Sequence, residues 1–102
     1  MRLKEVASVI RSKNAGPFIF TFDVLFPDIK IFNDVKNAGL FDRASVAKAY
    51  GISPNEIIGF EYYPFACAIK FSMRRALPSG NVGDSDVYGA QQHAPLLDLV
   101  AL

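Results

Sequence analysis

From Pro17 to Phe26 the chain alternates without a break. Phe18, Phe20, Phe22, Val24 and Phe26 interleave with Ile19, Thr21, Asp23 and Leu25. A period of two places the whole first set on one face of a β-strand. Four phenylalanines on one strand face are a heavy apolar load, which a covering layer of helices removes from water. The segment therefore predicts an α+β fold: an antiparallel sheet with helices on one face, close to ferredoxin-like. The opposite face, with Thr21 and Asp23, is expected to be wet or to serve an interface.

The neighbouring segments fit that plan. Asp28 is a good helix N-cap. Ile29, Phe32 and Val35 form a helical stripe behind it, and Gly39 suits a left-handed terminus with Lys36 in the last turn. A second helix is expected from Asp42 to Gly51, followed by a turn at Ser53-Pro54-Asn55. Ile57 to Tyr63 and Ala66 to Arg75 read as strands of a hairpin turning at Tyr63-Pro64-Phe65-Ala66. In the second strand Cys67, Ile69, Phe71 and Met73 share one face, and Ala68, Lys70, Ser72 and Arg74 the other. These two strands are expected to pair antiparallel and to join the Phe-rich strand. Leu3, Val6, Val9 and Ile10, spaced by three and four, favour a short first helix. The organisation expected for 1–102 is a single domain: an α+β core over 1–77, an ordered polar loop over 78–95 and a final strand over 96–102.

Composition narrows the chemistry. The 102 residues hold 11 Lys+Arg against 10 Asp+Glu, for a formal charge of +1. That balance advertises neither nucleic acid nor an anionic membrane as a partner. One cysteine, Cys67, and one histidine, His93, exclude a disulfide framework, a zinc finger or an iron–sulfur site within the chain. No apolar run reaches the roughly 18 residues of a membrane span. Met1 to Glu5 leads into no signal-type stretch, so a cytoplasmic location is expected.

Two polar segments stand out. Arg11-Ser12-Lys13-Asn14-Ala15-Gly16-Pro17 offers a guanidinium fork, a point charge, two short hydrogen-bonding side chains and a glycine that admits close backbone approach, a set suited to an anion. The same residues also suit a helix C-terminus, because Lys13-Asn14-Ala15-Gly16 recurs as Lys36-Asn37-Ala38-Gly39. Tyr88 to Pro95 contains Gln91-Gln92-His93: amides able to donate and accept, beside the one side chain able to shuttle a proton near pH 7. It reads equally as a tail bonding its own backbone to the sheet. Asp84 and Asp86 have the i, i+2 spacing of calcium loops, but no glutamate stands at the twelfth position, so an ordinary Gly/Asp turn is the better reading. Cys67 reads as a buried apolar residue. A triad of Ser12, His93 and an aspartate has no nucleophile elbow to support it.

Arg11 to Phe18, Ala49-Tyr50-Gly51-Ile52, and Asp86 to Asp98 carry a resemblance. Together they look like a small family of this length, a domain of unknown function found beside AtuA-like (acyclic terpene utilisation) proteins. More distantly, the chain is similar to the ferredoxin-like C-terminal domain of AtuA-like proteins. Arg11-Ser12 matches that domain's opening loop, and Asp86, Gln91 and Leu96-Leu97 match its close. Lys13-Asn14 and Gln92-His93 depart from it.

The resemblance implies that the Arg11 segment and the Gln91 segment lie close together. It also implies a small subunit, with or without a catalytic role of its own, that works with an AtuA-like large subunit in catabolism of organic acids or their thioesters. In that expectation Arg11 and Lys13 hold a small anionic ligand, with Ser12 as a further donor. Asn14, Asp86, Gln91 and Gln92 orient the ligand, and His93 exchanges a proton. The rival expectations are a stand-alone lyase or hydratase using His93 as acid and base, and a homo-oligomeric ligand-binding module. No cofactor is specified by the sequence.

Overall fold

The computed structural model describes residues 1–16, 18–74 and 94–102. In chain order they form α1 (Leu3–Val6), β1 (Val9–Gly16), β2 (Ile19–Leu25), α2 (Ile29–Ala38), α3 (Arg43–Tyr50), β3 (Ile57–Tyr63), β4 (Ala68–Arg74) and α4 (Ala94–Leu97). The strands make one sheet in the order β1-β2-β4-β3, with every neighbouring pair antiparallel. The α+β architecture is as the alternation of β2 predicts. Strands β2, β4 and β3, with α2 and α3 in the crossover, reproduce the split β-α-β unit of ferredoxin-like folds. The order departs from that fold at one edge, which β1 fills by folding back on β2 as a hairpin.

Local chemistry sets the helix ends. The Asp28 carboxylate accepts from the Ile31 N–H at 2.9 Å, and Gly39 closes α2 in the left-handed region at φ 69°. At α3 the capping is reciprocal: Asp42 accepts from the Ser45 N–H at 2.8 Å, and the Ser45 hydroxyl accepts from the Asp42 N–H at 3.0 Å. Both helices bury their apolar stripes against one sheet face through Phe32, Val35, Val46 and Ala47.

Between the layers the register builds an aromatic ladder. Phe22 stands opposite Phe71, and Phe71 opposite Phe60. The rings stack at 4.8 Å and 5.4 Å between centroids. Phe41 closes edge-on over Phe60 and Phe71, and Tyr50 edge-on over Phe22. Edge contacts of this kind complement the ring quadrupoles beyond simple area burial.

Gly59 makes this ladder possible. The β3–β4 register shifts between Ile58 and Phe60, and Gly59 takes φ +64°. The irregularity lets Ile57, Phe60 and Tyr62 all face the core while Ile58, Glu61 and Tyr63 face outward. An L side chain is strained at that φ, and a Cβ there would sit 3.2 Å from Glu61 Oε1. Gly59→Ala is therefore expected to lower unfolding free energy by about 1–2 kcal/mol in denaturant melts. An unchanged midpoint would show that the strand absorbs the substitution.

Four expectations are corrected. Phe18 is 52% exposed and precedes the strand, so the buried aromatic face of β2 carries Phe20 and Phe22, with Phe26 just beyond its end. Only 3–6 are helical at the start, and Val9 and Ile10 belong to β1. Residues 96–102 are not a strand: Leu96 sits in α4, and the tail makes a single bridge, Val100 to Arg2. The tail is nevertheless anchored. Leu96 and Ala101 are fully buried beside Leu3, the Leu3 N–H donates to the Leu99 carbonyl at 2.7 Å, and Asp98 pairs with Lys4 at 3.0 Å. Cys67 is half-buried in the left-handed region at φ 50°, just before β4, rather than in strand alternation.

Candidate anion site on the open sheet face

The decisive local fact concerns β1. Arg11 to Asn14 are not a helix terminus but strand, paired with β2 from Val9↔Leu25 to Gly16↔Ile19. Strand alternation therefore splits the basic cluster. Arg11 and Lys13 are exposed on the face away from the helices. Ser12 is buried beside Phe22, and Asn14 is half-buried opposite Phe20, so both belong to the core face. Each already has an interaction partner. The same tetrapeptide that ends α2 at Gly39 is thus extended at 13–16, because hairpin pairing overrides its local preference. Asp86, Gln91, Gln92 and His93 lie outside the described residues. Ala94, next in the sequence, begins α4, and Leu96 of that helix joins the core.

The register brings Arg11 and Lys13 into different company from that expected. One row runs straight across the sheet: Arg11, Asp23, Lys70, Glu61. Asp23 is only 7% exposed, and its carboxylate lies 3.2 Å from Arg11 Nε and 3.7 Å from Lys70 Nζ. Asp23 is thus buried on the face that the sequence suggested to be wet or to serve an interface. The next row is Lys13, Thr21, Ser72, Ile58. The Thr21 and Ser72 hydroxyls lie 3.4 Å apart and half-buried. A hydroxyl pair shares one proton between its members and keeps the other O–H to offer outward. Lys13 adjoins Thr21 across the strands, while Lys70 and Arg74 flank Ser72 along β4.

Among the described residues, the sheet face away from the helices carries four cations, Arg11, Lys13, Lys70 and Arg74, against two carboxylates, Asp23 and Glu61. Cation charge and hydroxyl donors around one spot fit a carboxylate or similar small anion. Among the described residues no general base adjoins either hydroxyl. The alternation of β4 displayed Lys70, Ser72 and Arg74 on one face, but which residues of β1 and β2 stand beside them is a matter of register, which no local signal encodes.

On the core face, Tyr50 shares the Phe22 ring with Ser12 as neighbour. Burial of the phenol holds its pKa well above the usual tyrosine value. A raised folded value means that this stabilisation is complete below pH 10 and declines above it, as tyrosine ionises in the unfolded chain first. Stability is expected to fall above about pH 10, by up to about 1.4 kcal/mol per pH unit from this group. Tyr50→Phe should flatten that part of the profile. An unchanged alkaline slope in the variant would contradict it.

Among the described residues there is no cluster of three or more His, Cys, Asp or Glu placed to hold a metal, and no helix is long and apolar enough to cross a membrane. No curated protein and no solved structure matches the chain. A family model does match, over residues 3–100, and the chain belongs to that family: the domain of unknown function DUF4387.

Proposed function

We propose that this chain is a small accessory subunit that binds the carboxylate of an organic acid or acyl thioester and works with an AtuA-like large subunit in its catabolism. The observation that carries the reading is the Thr21–Ser72 hydroxyl pair framed by Lys13, Lys70 and Arg74. Such a patch provides positive charge and hydrogen-bond donors, which suits a subunit that holds an anionic ligand for its partner. Arg11, tied to Asp23, sets the field beside it. In this reading Ser12 and Asn14 brace β1 from the core side. Asp86, Gln91 and Gln92 supply further hydrogen bonds, and His93 exchanges a proton at the shared site.

The test has two arms. Purification of the tagged chain from its native cells should recover an AtuA-like protein, and recovery of none would remove the partner. Titration of the pure chain with succinate, followed by NMR, should saturate, with the largest shifts at residues 13, 21, 72 and 74. A linear, unsaturated response spread over the surface would remove the ligand.

A further inference from the structure

We infer that the ligand of this site is a dianion held at both ends, a four-carbon dicarboxylate bridging Lys13 and Arg74. The inference rests on the carboxylate reading above and gives that ligand a second charged end.

The cations around the site are of two kinds. Arg11 and Lys70 both approach the buried Asp23 carboxylate, at 3.2 Å and 3.7 Å, and Lys70 Nζ also lies 5.6 Å from the centre of the Tyr63 ring. Lys13 and Arg74 are exposed, and among the described residues no carboxylate forms an ion pair with either. In the same register row, Asp23 and Glu61 offset the charges of Arg11 and Lys70. Two positive charges then remain, on Lys13 and Arg74, and a dianion is their complement.

The strand register sets the distance between these two. Lys13 stands on β1 opposite Thr21, and Arg74 stands on β4 opposite Ile19, two strands across and two residues along. At about 4.8 Å per strand and about 3.4 Å per residue, their Cα atoms lie roughly 12 Å apart on the diagonal. That span suits an extended four-carbon diacid with a charge-assisted contact of about 2.8 Å at each end. Drawing both cations onto a single carboxylate would make two long side chains lean together against their mutual repulsion.

The residues between them match such a molecule. Thr21 adjoins Lys13 across the strands, and Ser72 precedes Arg74 by two residues on the same face, so each end has one cation and one hydroxyl. The hydroxyls are 3.4 Å apart, a long contact that each can give up to donate to its own carboxylate. Ile19, half-buried next to Thr21 on the same strand face, supplies apolar surface for the carbon chain in the middle.

NMR titration of the full chain in mildly alkaline buffer tests the inference with succinate, fumarate, maleate and succinamate. Succinamate keeps the length of succinate and has one charge. Maleate keeps both charges and folds its ends to one side. Succinate and fumarate should both saturate, and maleate and succinamate should bind about fivefold more weakly, the worth of one exposed charge contact. Lys13→Ala and Arg74→Ala should each weaken succinate by the same factor. Each should leave succinamate within about twofold, because its one carboxylate can use the end that remains. Amide spectra report whether each variant is folded, and Lys13→Gln and Arg74→Gln replace any that is not. Succinamate or maleate binding as tightly as succinate, or a loss confined to one of the two variants, would overturn the two-ended ligand and leave the carboxylate site standing. Saturation by none of the four probes would overturn both.

Discussion

Phe22→Ala will lower unfolding free energy by about 4 kcal/mol, among the largest effects of any single truncation in this chain. Phe22 is fully buried, stacks on Phe71 at 4.8 Å and receives edge contacts from Phe20 and Tyr50. Its removal opens a cavity at the meeting point of β2, β4 and α3, none of which can collapse without breaking strand pairing. Phe65→Ala is the matching control: that ring is fully exposed on the β3–β4 turn, and its loss is expected to be close to neutral. Equal melts for the two variants would contradict the layered core.

The second large effect lies at the other end of the chain. Leu96→Ala is expected to cost about 3 kcal/mol in the same measurement. Leu96 is the buried anchor of the four-residue helix α4, which has too little backbone bonding of its own to persist in isolation. The expectation is therefore that the truncation also releases the Leu3–Leu99 and Ala101–Met1 hydrogen bonds. Hydrogen exchange at residues 3 and 101 should accelerate. Protection that stays unchanged would show that the tail is held without Leu96.

The ease with which each element could be read follows from how local its cause is. Asp28, Gly39, Asp42 and Gly51 act within one turn, and the structure places each where its chemistry demands. The alternations of β2 and β4 are equally local. Strand β1 was obscured because Leu3, Val6, Val9 and Ile10 imitate helical spacing, and because an edge strand carrying Arg11, Ser12, Lys13 and Asn14 has no apolar alternation to betray it. Only pairing with β2 fixes it. The apolar tail 96–102 suits a strand as well as a buried helical turn, and packing on α1 and α3 decides.

The site follows the same division. Arg11 and Lys13 were legible as a basic pair, but their separation from Ser12 and Asn14 follows from strand geometry. Their company with Thr21, Ser72, Lys70 and Arg74 follows from register across three strands, and the bulge at Gly59 brings Glu61 into the same row.

The central claim is that β1 divides its polar residues between two faces and that the ligand belongs to the face of Lys13. Succinate titration of Lys13→Ala against Asn14→Ala tests it most directly, since these sequence neighbours lie on opposite faces of β1. The account expects Lys13→Ala to weaken binding about fivefold, the worth of about 1 kcal/mol for an exposed charge contact, and Asn14→Ala to leave it unchanged. Loss of binding in Asn14→Ala with Lys13→Ala indifferent would place the ligand on the helix side and contradict the account.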